Sequence, residues 1–173
     1  MPATRHALTE FPPRRLYPDT NFLLNVLVPS YPYHAAASGF LLQIAAAEMT
    51  TLYVSSLTWL EFGNAVLRAD FRAGLAADVQ RQYGLDDWGT AEVRDDYLAA
   101  MLNRLHALLS GFDRYEVSVT LDVSIHALQL MGQHALRWQD AAHVACAQAV
   151  GVVDVVSFDR VFRRVDGLHL WTV

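Results

Sequence analysis

Apolar positions alternate between two kinds of run along the chain. Short β-branched and aromatic stretches predict strands at residues 15–17, 52–54, 115–119, 152–157 and 168–173. Pro18 suits the end of the first strand and not its middle. Asp19-Thr20-Asn21 then opens an apolar segment, Phe22 to Val28, which Pro29 ends. Ala-rich residues 31–49 have apolar positions at helical spacing, and Leu57 to Phe71 repeat that pattern behind the cap candidates Ser55-Ser56. Residues 75–111 are mostly helical in pattern, with a break at Tyr83 to Gly89. Thr120 predicts the cap of a helix to about His134, and Trp138 to Val150 reads as another, closed by Gly151. Arg160 to Val165 is a short helix or turn before Gly167.

Strands alternating with helices imply right-handed crossovers and a parallel sheet covered on both faces. The expected architecture is therefore a three-layer α/β domain over residues 15–173, with a central parallel sheet of about five strands. The preceding residues, 1–14, carry Arg5, Arg14 and three prolines without an apolar run of leader length, and are expected to form a flexible arm. In such sheets functional groups collect beyond the carboxyl ends of the strands.

Four acidic residues occupy such places. Asp19 directly follows the first strand, and Asp159 follows the strand at 152–157 with Phe158 between. Glu61 lies about one and a half turns into its helix, and Asp140 lies in the first turn of the 138–150 helix. Each alone has an ordinary explanation: a helix cap for Asp19, a solvated helix position for Glu61, a charge favoured by a helix N-terminus for Asp140, a turn for Asp159. Together they predict four carboxylates converging at one edge of the sheet among apolar neighbours, where like charges repel and lose hydration. A hard divalent cation with oxygen ligands relieves that cost, and Mg²⁺ or Mn²⁺ fits such a site better than zinc.

Composition narrows the chemistry further. All 13 basic residues are arginine, so phosphate loops and Schiff-base chemistry that need a lysine are excluded. The single cysteine, Cys146, excludes an internal disulfide and a cysteine-based zinc cluster, and fits a reducing, cytoplasmic setting. No apolar run approaches the roughly 18 residues needed to span a bilayer. Histidine spacing of the HExxH kind, a Gly-x-Ser-x-Gly elbow and a dinucleotide glycine loop are all absent from the sequence.

The motifs resemble those of PIN domains, and most of all the VapC-type toxins. Tyr17 to Leu24 is similar to the opening strand and turn of that family, Val54 to Glu61 to its second acidic motif, Gln139 to Ala147 to its third, and Val155 to Leu168 to its closing motif. The resemblance covers roughly residues 15–173. It implies a PIN-like fold and a Mg²⁺- or Mn²⁺-dependent endoribonuclease whose acidic, metal-holding set is Asp19, Glu61, Asp140 and Asp159. Asn21, Ser157 and Thr20 would be polar residues beside the site. It also implies the toxin role of a type II toxin–antitoxin pair, with RNA as substrate and a cognate antitoxin as partner. A homodimer is expected, through apolar surface on the long middle helices. In-line hydrolysis would leave a 5′-phosphate and a 3′-hydroxyl.

Arg137, Arg160 and Arg163, with Arg164, flank the third and fourth motifs and suit either RNA phosphates or a solvated surface. Trp59 and Trp138 each precede a candidate ligand by two residues; core packing is expected for both, with base stacking the other role. His143, one turn after Asp140, is expected to be a packed or partly exposed histidine, not a general base. Residues 75–112 are longer than the family's middle helices and carry Asp86-Asp87-Trp88 and Asp95-Asp96-Tyr97, a structural or partner-facing extension. Two other functions fit the same acids: a non-catalytic binding module whose acidic pocket docks an Arg-rich partner peptide, and a phosphohydrolase of small esters.

Overall fold

The structure is a computed structural model that describes residues 2–68, 81–82 and 91–173. Six strands form one parallel sheet: β1 (Thr4–Ala7), β2 (Arg15–Pro18), β3 (Thr51–Ser55), β4 (Arg114–Val117), β5 (Asp154–Val156) and β6 (His169–Thr172), in the order β1-β6-β5-β2-β3-β4. The helices are α1 (Thr20–Leu27), α2 (His34–Ala47), α3 (Ser56–Leu67), α4 (Ala91–Ser110), α5 (Leu121–His134) and α6 (Trp138–Ala149), with a 3-10 turn at Arg160–Arg164. This is the three-layer α/β architecture expected.

Strand alternation sorts the core into two layers. Leu16, Val156 and Trp171 face α1 to α4, while their neighbours Tyr17, Val155 and Leu170 face α5 and α6. Both faces of the central strands are thus buried, and the strands read as continuous apolar runs.

One expectation needs correction. The sheet has six strands, not about five, because the arm at 1–14 contains β1. Thr4 to Ala7 pair in parallel with His169 to Thr172, and Leu8 is buried beyond them. The described part of the 75–112 extension is structural, within the expectation. Tyr97, Met101, Leu105 and Leu109 recur every four residues along α4 and are buried against the α1–α3 layer, while Asp95 and Asp96 stay exposed. Asp86-Asp87-Trp88 and the end of the predicted 57–71 helix lie outside the described residues. Among the described residues no helix is long and apolar enough to cross a membrane.

Local signals place the ends of the elements that build the site. Ser55 caps α3, its Oγ accepting from the Thr58 N–H at 3.3 Å, and Thr120 caps α5 by the same bond to Val123. Gly151 closes α6 at φ +65°, a conformation that favours glycine. The strand ends β2, β3 and β5 and the starts of α1, α3 and α6 then meet at one edge of the sheet.

Candidate metal centre

Asp19 occupies the N-cap position of α1, yet its carboxylate makes no capping hydrogen bond. It is instead held by Ser157, which follows β5 and donates to Asp19 Oδ2 at 2.7 Å. Ser157 Oγ also accepts from the Asp159 N–H at 3.0 Å, so one buried hydroxyl ties the first and fourth motifs together. Asp159 has its own local duty: Oδ1 accepts from the Val161 N–H at 2.9 Å, capping the 3-10 turn.

Glu61 reaches the same place from α3. Its Oε2 accepts from Thr20 Oγ1 at 3.0 Å and lies 2.7 Å from His143 Nε2. His143 Nε2 is also 3.5 Å from Asp19 Oδ1. Asp140, in the first turn of α6, completes the group. Asp19, Thr20, Asn21, Glu61, Asp140 and Asp159 all line one cavity of about 230 Å³, together with Leu24, Asn64, Ala65, Arg68, Arg137 and Gln139. All four expected carboxylates are therefore brought together. A larger hollow of about 570 Å³ beside β4 and α5 shares no residue with it.

The electrostatics are those of crowded acids. Burial, followed by repulsion from Asp159 and Asp19, raises the Asp140 carboxyl from 3.8 to about 6. Burial also raises Asp19, against the pull of His143 and the Ser157 hydrogen bond. Burial disfavours a charged His143, but the hydrogen bond to Glu61 and the Asp19, Glu61 and Asp140 charges outweigh it and raise its pKa. Crowded carboxylates of this kind suit a hard divalent ion with oxygen ligands, and carboxylate oxygens of Asp19 and Glu61 lie with the His143 nitrogen within 4.8 Å of one another.

Of the supporting residues, Thr20, Asn21 and Ser157 stand beside the site as expected. Arg137 lines the cavity; Arg160 and Arg163 do not. Trp138 does not pack in the core as expected: at the start of α6 it is 56% exposed, whereas Trp59 packs against the α1–α4 layer. Asn64 and Arg68 were not singled out in the sequence, although Asn64 lies three residues from Glu61 on its helix face and Arg68 is the residue just past the end of α3. His143 is packed, as expected, but against the carboxylates.

The PIN domain model matches residues 16–168. No curated protein matches the chain in sequence. Among solved structures, VapC20 of Mycobacterium tuberculosis, described as a sarcin–ricin loop cleaving toxin, superposes with a TM-score of 0.56 at 15% identity, covering 85% of this chain and 92% of that one. VapBC2 from Rickettsia felis, bound to a DNA fragment from its promoter, gives 0.57 at 13% identity, covering 92% and 98%. A toxin–antitoxin complex from Klebsiella pneumoniae gives 0.52 at 17% identity, covering 88% and 94%. At these identities the likeness is one of fold.

Proposed function

Because the chain belongs to the PIN domain family, we propose that it is a Mg²⁺- or Mn²⁺-dependent endoribonuclease, the toxin of a type II toxin–antitoxin pair. The observation that carries this reading is the convergence of Asp19, Glu61, Asp140 and Asp159, from four separate stretches of chain, on one cavity.

Asp19, Glu61, Asp140 and Asp159 would hold the cation. When bound, the ion lowers the pKa of a water and offsets charge on the phosphoryl oxygens. Without that cation the pocket would repel a phosphodiester, since its own carboxylates are anionic. Ser157 fixes Asp19 by its hydrogen bond, and Thr20 holds Glu61. Arg137, which lines the cavity beside the acids, would engage RNA phosphates.

A cognate antitoxin as partner is supported by the fold likeness to a toxin–antitoxin complex. A homodimer is supported by an exposed apolar face on α5, where Leu121, Ile125 and Leu128 stand at helical spacing. Among the described residues of α4 no large apolar side chain is strongly exposed, and much of the 75–112 segment lies outside the described residues. A cytoplasmic location accords with the lone free Cys146.

The test is cleavage of single-stranded RNA by the purified chain with Mn²⁺ or Mg²⁺, with EDTA, and in the Asp19→Asn and Asp140→Asn variants. Wild type should cleave only with the ion, leaving 5′-phosphate ends, and both variants should lose cleavage. Unchanged cleavage in both variants would refute the assignment.

A further inference from the structure

We propose that His143 is a positioning residue for Glu61, the end of a buried Ser55–Tyr17–His143 chain that aims this carboxylate into the metal pocket. The proposal rests on the metal-dependent reading above.

Glu61 has a long side chain with three rotatable bonds, and it must reach the pocket from the second turn of α3. Left to itself it would sample several rotamers. Two donors from two other elements prevent this. Thr20, at the start of α1, and His143, on α6, both engage the same oxygen, Oε2, at 3.0 and 2.7 Å. Among the described residues every hydrogen bond to this carboxylate falls on Oε2, which leaves Oε1 for the pocket.

His143 is itself held. Its Nδ1 is 2.8 Å from the Tyr17 hydroxyl, which donates to Ser55 Oγ at 2.7 Å, and Ser55 caps α3. The chain starts at the N-terminus of the helix that carries Glu61 and returns to Glu61 itself. Both ring nitrogens are engaged, the residue is buried, and it does not line the cavity. That placement is behind the ligands, where a neighbour orients a metal-binding group without touching the ion.

The experiment measures Mn²⁺ affinity of the full chain by calorimetry, with Mn²⁺ alone as the probe. Removing such an outer partner weakens metal binding by roughly 10–100-fold, so His143→Leu should do this. His143→Gln, whose amide nitrogen reaches the place of Nε2, should recover most of the loss. Tyr17→Phe keeps the ring but removes the hydroxyl behind His143, and should weaken Mn²⁺ in the same direction; it serves as the second variant where His143→Leu does not fold. Purely structural packing predicts lower melting temperatures with wild-type Mn²⁺ affinity in the folded variants, and that result overturns the inference. So does nitrogen coupling to bound Mn²⁺ in electron spin-echo spectra of wild type, which would make His143 a ligand. If wild type binds no Mn²⁺ at all, the metal-dependent reading itself falls and takes this inference with it.

Discussion

Asp140→Asn should make the metal-free protein more stable at neutral pH. The Asp140 carboxyl is raised from 3.8 to about 6 by burial and by the nearby Asp159 and Asp19. A proton held about a hundredfold more tightly in the fold than in the unfolded chain corresponds to about 3 kcal/mol. Asp140 is only partly buried, so solvent screening reduces the usable part to about 1–1.5 kcal/mol. The sign follows from linkage: the native state binds the proton better, so this stability is fully present below about pH 4 and is lost as pH rises through about 6. Above that, wild type carries the unrelieved charge and the asparagine variant does not.

Denaturation in EDTA at pH 7.5 and pH 4.5 measures the difference. At pH 7.5 the variant should melt about 3–5 °C above wild type, and at pH 4.5 the gap should narrow to well under that. Adding Mn²⁺ should reverse the order, because ligand binding to the native state stabilises whichever protein binds the ion more tightly. A variant no more stable than wild type at pH 7.5 would refute the crowded-acid account, as would a gap undiminished at pH 4.5.

Ser157→Ala removes the donor to Asp19 and the acceptor for the Asp159 N–H, both in a buried position; it should cost about 1–3 kcal/mol in denaturant unfolding and weaken Mn²⁺ binding. Arg137→Ala should weaken RNA binding about equally across sequences and lower the salt slope by about one, read from binding of a non-hydrolysable RNA analogue with Mn²⁺ at several salt concentrations. Ala135 ends α5 with a φ of 50°; Ala135→Gly relieves that conformation and should add about 1 kcal/mol to stability, with cleavage unchanged.

Much of the fold was legible because the central strands are buried on both faces and so appear as apolar runs. β1 was not: Thr4, Arg5, His6 and Ala7 form a mostly exposed edge strand, and only backbone pairing with β6 and the burial of Leu8 reveal it. The four acids were legible because each sits directly at a strand end or in an early helix turn, positions that topology alone brings together. His143 was harder. A histidine on a helix face that is otherwise Ala, Val and Cys reads as packing, and it is packed; what it packs against is Glu61 and Asp19, contacts made across 82 and 124 residues of chain. Trp138 misled for the opposite reason. Its apolar neighbours in sequence are buried, but as the first residue of α6 it lies beyond the layer they fill.

The way the carboxylates share their oxygens bears on what the pocket accepts. Asp19 has Oδ2 occupied by Ser157, Glu61 has Oε2 occupied by Thr20 and His143, and Asp159 has Oδ1 occupied by the Val161 N–H. Three of the four acids thus present one oxygen each. An arginine from a docked peptide is best met by both oxygens of a single carboxylate in a parallel fork. A divalent ion instead takes single oxygens from several groups around it. A guanidinium also brings one positive charge to a site with four carboxylates, whereas the ion brings two. Donor geometry and charge therefore both favour an ion over a peptide arginine as the primary occupant. In metal-free buffer Asp19→Ser should leave the affinity for an Arg-rich peptide unchanged, measured by fluorescence anisotropy of a labelled peptide; a large loss in that variant would point instead to the peptide-docking module.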